Sequence, residues 1–76
     1  SYESSPIIIN AANEIFVDEF LRNNIRFDDI FAYLNLVIKD KNYIKTSSMN
    51  SSNLKNIYKI DNWARELAHK IIREKK

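Results

Sequence analysis

The chain has 76 residues and a net charge of +2, with 45% hydrophobic and 29% charged residues, which is typical of one small globular domain. It contains no cysteine, no glycine and a single histidine, His69. This composition excludes disulfides, thiolate metal sites, glycine-rich phosphate loops and the two-histidine zinc helix. The longest apolar run, Ile30 to Leu34, is far shorter than the roughly 18 residues of a membrane span, so none is predicted.

The first helix is predicted from Pro6 to about Leu21. Proline suits the first turn of a helix, and Ser4 or Ser5 can serve as the cap. Residues 1–5 are then a linker or the end of a preceding segment, and residues 6–76 form the domain. The apolar residues lie on more than one side of this helix, which therefore needs several packing partners. One face holds Ile8, Ala11, Ala12 and Ile15, and the other holds Ile9, Phe16, Val17 and Phe20.

A second helix is predicted to begin at Asp28 or Asp29, whose carboxylates can accept hydrogen bonds from free backbone N–H groups. Before it, Asn23 and Asn24 end the first helix, because asparagine tolerates the left-handed conformation in the absence of glycine. Helical spacing predicts one apolar stripe toward the core and a polar side toward water. The stripe consists of Ile30, Phe31, Leu34, Val37 and Ile38, and the polar side of Ala32, Asn35 and Lys39.

The second half of the chain is predicted to hold a mobile loop and two further helices. The Asn/Ser-rich loop covers residues 40–53, and Ser52 caps a short helix with Leu54, Ile57 and Tyr58. The longer last helix closes the core, with cations in its C-terminal turns. Its core face is Ile60, Ala64, Leu67, Ala68 and Ile71, and its terminal cations are Arg73, Lys75 and Lys76. The sequence thus predicts an all-α fold, an antiparallel bundle of three or four helices.

Two groups of residues could suggest chemistry, but a structural role explains each better. Four carboxylates, Asp18, Glu19, Asp28 and Asp29, resemble a cation site, although Asp18 and Arg22 form a favourable i, i+4 pair and the other aspartates begin a helix. His69 lies on the polar side of the last helix without a predicted nucleophile beside it. We therefore predict no metal, cofactor-binding or catalytic residue in this chain.

The C-terminal half is basic, because residues 39–76 carry ten basic and four acidic side chains, whereas residues 1–38 carry two basic and six acidic ones. Nucleic-acid binding needs clustered cations. Here acids alternate with the cations, which favours a solvated face of mixed charge. Trp63, the aromatic residue to consider for base stacking, borders the core stripe and is predicted to be a packing residue. No nucleic-acid partner is predicted.

An unexpected feature of the first helix is its pair of interior asparagines, Asn10 and Asn13, since asparagine is unfavourable inside helices. With Val17, Phe20 and Leu21 they form a second, partly polar face. Two readings remain open. Either other helices of the domain cover this face, or it docks against another part of a longer protein.

Several runs of the sequence resemble the C-terminal helical domain of 1-deoxy-D-xylulose 5-phosphate reductoisomerases. The resemblance spans about residues 6–38 and 54–74, and Phe16 and the segment 40–53 depart from it. Phe16 stands where the family usually has a smaller residue. The runs that carry the resemblance are Asn10-Ala11-Ala12-Asn13-Glu14, Phe20-Leu21, Ile25-Arg26-Phe27-Asp28-Asp29-Ile30 and Ile60-Asp61-Asn62-Trp63-Ala64-Arg65-Glu66.

The resemblance implies a parent enzyme of non-mevalonate isoprenoid biosynthesis, a homodimer that converts 1-deoxy-D-xylulose 5-phosphate to 2-C-methyl-D-erythritol 4-phosphate with NADPH and Mg²⁺ or Mn²⁺. Its nucleotide and metal sites lie in other domains, and none of their motifs falls on residues 1–76. The implied role of this chain is to brace the catalytic domain of the same polypeptide. The rival reading is a free-standing helical module that binds a protein or nucleic acid.

The composition also carries a hint of the source, because ten Asn, twelve Ile and eight Lys are residues with AT-rich codons. Together with the resemblance, this bias favours the relict plastid of a eukaryotic parasite, the apicoplast, as the location of the parent enzyme. The bacterial cytoplasm is the other location that the resemblance implies.

Overall fold

The computed structural model describes residues 3–75, and these form four helices and no strand. The helices are α1 (Ser5–Leu21), α2 (Phe27–Ile38), α3 (Tyr43–Ser47) and α4 (Leu54–Lys75). The predicted all-α fold is therefore confirmed. None of these helices is both long and apolar enough to cross a membrane.

Aromatic contacts show that α2 runs antiparallel to α1. The ring of Phe16 meets that of Tyr33 edge-on, with centroids 5.6 Å apart, and the ring of Phe20 packs against that of Phe27 at 5.6 Å. The later residue of α1 thus contacts the earlier residue of α2. The short connection between the helices is consistent with this direction.

Polar contacts show that α4 runs in the same direction as α1. Glu3, before α1, binds Ser51, before α4, and Glu14 pairs with Arg65 farther along both helices. The α1–α4 interface is the most extensive in the fold. The three long helices are thus arranged up, down and up, so sequential neighbours are antiparallel while α1 and α4 are parallel.

One apolar core lies between α1, α2 and α4, as the sequence predicts. Its largest fully buried side chains are Phe16, Ile8, Ile60 and Val37. Close-packed side chains of this kind supply most of the stability of a small domain. The other buried apolar residues are Ala11, Ala12, Ile25, Ile30, Tyr43, Ala64, Ala68, Ile71 and Ile72.

The ends of α1 agree closely with the prediction. The helix begins at Ser5, one residue before Pro6, and ends at Leu21. Ser4 occupies the cap position, but its hydroxyl makes no bond to the helix. At the other end Asn23 has φ 63°, the left-handed conformation that asparagine tolerates.

The second helix begins at Phe27, one or two residues earlier than predicted. The Oδ2 atom of Asp29 accepts a hydrogen bond from the backbone N–H of Arg26 at 2.9 Å. An acidic residue that reaches back in this way is the third residue of its helix rather than the cap. The carboxylates were correctly predicted to lie in the first turn of the helix, but the predicted first residue of the helix was wrong.

The predicted core stripe of α2 is wrong at two positions. Phe31 and Ile38 are 60% and 46% exposed, whereas Ile30 and Val37 are buried. The physical reason is that α2 is apolar over more than one face, so Tyr33, on the other flank, packs against the core instead. The predicted polar positions are exposed as expected, namely Ala32, Asn35 and Lys39.

The predicted loop over residues 40–53 is also wrong, because it contains α3. Tyr43, Thr46 and Ser47 are buried, and their i, i+3, i+4 spacing faces them inward. Before the helix, Asp40 accepts a hydrogen bond from the N–H of Asn42 at 2.9 Å, which forms a tight turn. The ring of Tyr43 packs in the core, and the buried polar side chains of Thr46 and Ser47 complete the contact of this segment with the domain.

The last two predicted helices are one continuous helix, α4. It follows Asn53, whose Oδ1 accepts a hydrogen bond from the N–H of Lys55 at 2.8 Å, so Asn53 rather than Ser52 is the cap. Ser52 instead donates to Oδ1 of Asn50 at 2.6 Å. Of the C-terminal cations, Arg73 and Lys75 lie in the last turn, and Lys76 lies outside the described residues.

Candidate functional site

The predicted docking face of α1 is partly open. Asn10 is exposed and Leu21 is 71% exposed, whereas Asn13, Val17 and Phe20 are half-buried. Asn13 and Val17 border a shallow depression, and Val17 and Phe20 also pack against the edge of the core. The domain's own helices therefore cover the face in part, and docking against another part of a longer protein stays a prediction. We call these five residues the α1 outer face.

A polar junction fixes the path of the chain into α1. The N–H of Ser4 donates to the carbonyl of Ser47 at 2.8 Å, and the Ser4 hydroxyl donates to the carbonyl of Met49 at 2.6 Å. The hydroxyls of Ser5 and Tyr43 share a further hydrogen bond. Ser4 and Ser47 are fully buried, where unmade hydrogen bonds are costly. We call this set of contacts the N-terminal junction.

The junction begins before Pro6, which is the predicted first residue of the domain. Glu3, Ser4 and Ser5 all contact the segment from Tyr43 to Ser51. The division between residues 1–5 and 6–76 stays a prediction, since Ser1 and Tyr2 lie outside the described residues.

Glu3 extends this junction and gives it a pH dependence. Its Oε2 accepts hydrogen bonds from the N–H and the hydroxyl of Ser51, at 2.9 and 2.8 Å, and these lower the pKa of Glu3 below its ordinary value of 4.5. A carboxyl whose pKa is lower when folded stabilises the fold above its unfolded pKa, and loses that contribution as the pH falls through the folded pKa.

We expect the Glu3→Gln variant to be less stable than wild type at neutral pH and equally stable well below pH 4.5. Urea unfolding of both proteins across this range measures the difference. The Ser51→Ala variant should retain most of the pH dependence, because the backbone bond, the larger cause of the shift, remains. A difference between wild type and Glu3→Gln that is the same at all pH values would contradict the assignment.

An ion-pair network links the outer surfaces of α1 and α4. Arg65 donates to Asp61 at 2.6 Å and to Glu14 at 3.2 Å. These two bonds, the one to Asp61 first, raise the pKa of Arg65. The pairing matches the predicted mixed-charge face, and such exposed pairs contribute about 0.2–1 kcal/mol each.

The carboxylates considered for a cation have other roles in the structure. Asp18 pairs with Arg22 at 3.2 Å, as predicted, and Glu19 accepts a hydrogen bond from an asparagine amide at 2.7 Å. Asp28 and Asp29 lie in the first turn of α2. Among residues 3–75, no three His, Asp or Glu side chains lie close enough together to hold one metal ion.

The residues considered for catalysis or nucleic-acid binding lie where the sequence predicts. His69 is exposed, and Trp63 is half-buried against the core. Burial, with a smaller effect of Asp29, raises the pKa of Tyr33. An open groove beside the tryptophan mixes cations with acids, and its lining includes Asp40, Lys41, Glu66, Lys70 and Arg73. This lining is not the cation cluster that phosphate binding needs.

Comparison with known proteins distinguishes between a reductoisomerase domain and a free-standing interaction module. Residues 1–67 match the family described as the DXP reductoisomerase C-terminal domain. The chain belongs to this family. The resemblance seen in the sequence is thereby confirmed, and the rival reading as a free-standing interaction module is not favoured.

Named relatives agree with the family assignment. The chain is 37% identical over 71 residues to the 1-deoxy-D-xylulose 5-phosphate reductoisomerase of Prochlorococcus marinus (strain MIT 9515), a match that covers 93% of this chain and 17% of the relative. It is 43% identical over 63 residues to the enzyme of Prosthecochloris aestuarii, covering 83% of the chain and 15% of the relative.

A eukaryotic relative is similar at the same level. The apicoplastic 1-deoxy-D-xylulose 5-phosphate reductoisomerase of Plasmodium falciparum is 35% identical over 63 residues, covering 83% of the chain and 13% of the relative. The chain thus spans about a sixth of the length of the curated relatives it matches. No solved structure matches it.

Sequence reasoning missed the N-terminal junction and the exposed apolar side of α2. The spacing of Tyr43, Thr46 and Ser47 was the available signal for the junction, but polar residues at helical spacing are usually found on solvated surfaces. The side of α2 could not be assigned, because a helix with two apolar flanks does not reveal which flank faces its neighbours.

Proposed function

We propose that this chain is the C-terminal domain of a longer enzyme that converts 1-deoxy-D-xylulose 5-phosphate to 2-C-methyl-D-erythritol 4-phosphate in non-mevalonate isoprenoid biosynthesis. The observation that carries the proposal is the match of residues 1–67 to the reductoisomerase C-terminal domain family. Relatives that carry the enzyme's name align with most of the chain and support it.

The parent enzyme is proposed to use NADPH and Mg²⁺ or Mn²⁺, as the resemblance implies, and to be a homodimer. The residues of this chain do not fit a site for NADPH or for a divalent cation. The sequence has no glycine for a nucleotide-binding loop, and residues 3–75 bring together no carboxylate cluster. We therefore assign both groups to other domains of the parent polypeptide and assign no catalytic step to this chain.

The role of this chain is to brace the catalytic domain of the same polypeptide through the α1 outer face. Asn10 and Leu21 leave part of the face open, and the face combines amides with apolar side chains. A mixed surface of this kind is typical of contacts between domains of one chain, which are more polar than obligate subunit interfaces. The asparagines, unfavourable within a helix, are explained if their amides bind groups of the partner domain.

The catalytic part of the proposal is tested by the full-length parent protein. We expect it to oxidise NADPH in the presence of 1-deoxy-D-xylulose 5-phosphate and a divalent cation, and we expect the 76-residue chain alone to show no turnover. Absorbance of NADPH measures both. A full-length protein without turnover would overturn the assignment of function.

The bracing role is tested by the Asn10→Arg variant of the full-length enzyme. A long charged side chain in a docked face is expected to lower the stability by roughly 1–2 kcal/mol. The thermal transition should then fall by a few degrees, and kcat should be reduced. The control is Asn62→Arg, the same replacement at an exposed position of α4. Equal transition temperatures and kcat values for the two variants would contradict docking through this face.

The location of the parent enzyme is proposed to be a relict plastid or the bacterial cytoplasm. The apicoplastic relative from Plasmodium falciparum supports the first, together with the Asn, Ile and Lys bias, and the bacterial relatives support the second. Imaging of the tagged full-length protein in its source organism distinguishes the two.

A further inference from the structure

An exposed apolar strip lies on α2. Phe27 and Phe31 are 57% and 60% exposed, and their rings meet edge-on with centroids 5.5 Å apart. Ile38, two helical turns farther on, is 46% exposed. Phe27 also packs against Phe20 of the α1 outer face at 5.6 Å. We call Phe27, Phe31 and Ile38 the aromatic strip, and through Phe20 it continues the α1 outer face onto α2.

Packing within the domain covers the aromatic strip only in part. The core face of α2 is supplied by buried Ile30 and Val37, with Tyr33 packed beside them. The exposed fractions of the strip's three side chains correspond to about 300 Å² of apolar surface. The largest apolar patch of a typical monomer covers about 300–600 Å², and patches of this kind are often functional.

The area of the strip distinguishes between two occupants. If a second copy of the chain packed on the strip symmetrically, both copies together would bury about 600 Å², well below the roughly 1,200 Å² at which specific subunit interfaces begin. Contacts between domains of one polypeptide start at about 600 Å² and need less area, because the partners are covalently held together. The α1 outer face would enlarge a contact with either occupant, and it is the covalent link that favours a domain of the same polypeptide.

We propose that the aromatic strip packs against an apolar surface of the parent polypeptide outside this domain, and so extends the bracing contact from α1 onto α2. The inference rests on the proposed function, since it requires that the chain be one domain of a longer enzyme. The relatives supply the necessary length, because this chain spans 17% of the Prochlorococcus enzyme and 15% of the Prosthecochloris enzyme.

The test measures how accessible the strip is in the full-length enzyme. Asn35 is exposed and lies one turn from Phe31, beside the strip, and the Asn35→Cys variant places a thiol there without altering the strip. Asn62→Cys, at an exposed position of α4, is the matched control. This domain has no other cysteine, so a maleimide label followed by peptide mass spectrometry reports each site separately.

We expect the thiol at position 35 to react at least about tenfold more slowly than the thiol at position 62, because the packed partner shields it. Adding Phe31→Glu to the Asn35→Cys protein should bring its labelling rate back toward that of the control, as the charge disrupts the contact. Equal rates for the two single variants would overturn the proposal. Protection that disappears on dilution would also overturn it, and would identify a second copy as the occupant.

Failure of this inference is separable from failure of the proposed function. The NADPH assay is run on the same Asn35→Cys protein. Turnover with equal labelling rates rejects the strip as a contact and leaves the enzyme assignment intact, whereas absence of turnover in the unmodified full-length protein rejects the assignment itself.

Discussion

Replacing Phe16 by alanine is expected to lower the free energy of unfolding by about 3–5 kcal/mol. Phe16 is a fully buried side chain at the centre of the core, where its ring meets that of Tyr33. Truncation removes apolar atoms that folding buries, and it leaves a cavity that the three packed helices cannot close. Native domains have only about 5–15 kcal/mol of stability, so the loss would remove much of it.

Urea denaturation of the 76-residue chain, followed by circular dichroism at the helical band, measures the loss. The matched control is Phe31→Ala, the same truncation at a residue that is 60% exposed, and its effect should stay within about 1 kcal/mol. Similar losses for the two variants would show that the assignment of Phe16 to the core and Phe31 to the surface is wrong.

Phe16 is also the position at which the resemblance predicts a smaller residue in the family. Here the larger ring is accommodated by an edge-on contact with α2, without exposure of Phe16. Because the ring is fully buried against α2, its removal is expected to be costly.

Replacing Ala64 by leucine is expected to destabilise the domain by about 1–3 kcal/mol, because a larger side chain overpacks the interface between the helices. Ala64 and Ala68 are fully buried on α4, and Ala11 and Ala12 are buried on α1. Small residues on both helices of the most extensive interface let the helix axes approach closely. Three added carbon atoms have no room there.

The control for this variant is Ala32→Leu on the exposed side of α2. Leucine and alanine both have high helix propensity, so the difference between the two variants reports packing rather than helix formation. The control should change the unfolding free energy by no more than about 0.5 kcal/mol in the same urea experiment. A neutral Ala64→Leu variant would mean that the α1–α4 interface contains unfilled space.

The sequence predicted those elements whose signals are local and strong. Pro6 and Asn23 located both ends of α1 to within a residue or two, because a fixed φ angle and a tolerated left-handed conformation act without tertiary contacts. Most of the core face of α4 was also predicted correctly, since its apolar residues form a stripe on a largely polar helix, although Leu67 is only half-buried and the buried Ile72 was missed.

The errors arose where tertiary structure decides between equal local alternatives. Phe31 and Val37 are both apolar, and only the positions of α1 and α4 determine that Val37 is buried. Likewise, the polar residues Thr46 and Ser47 are typical of a protein surface, and only tertiary contacts, such as those with the start of α1, bury them. The exposure of Asn10 could not be predicted, because it depends on how much of the α1 surface is covered by α2 and α4.

The N-terminal junction has a consequence for how the domain forms during protein synthesis. Ser4 binds backbone carbonyls of Ser47 and Met49, so its partners are translated 43 and 45 residues after it. On the ribosome, α1 can acquire helical turns early, but its first residues stay unanchored until α3 and the turn behind it have emerged. The domain should therefore become resistant to proteases in one late step rather than helix by helix.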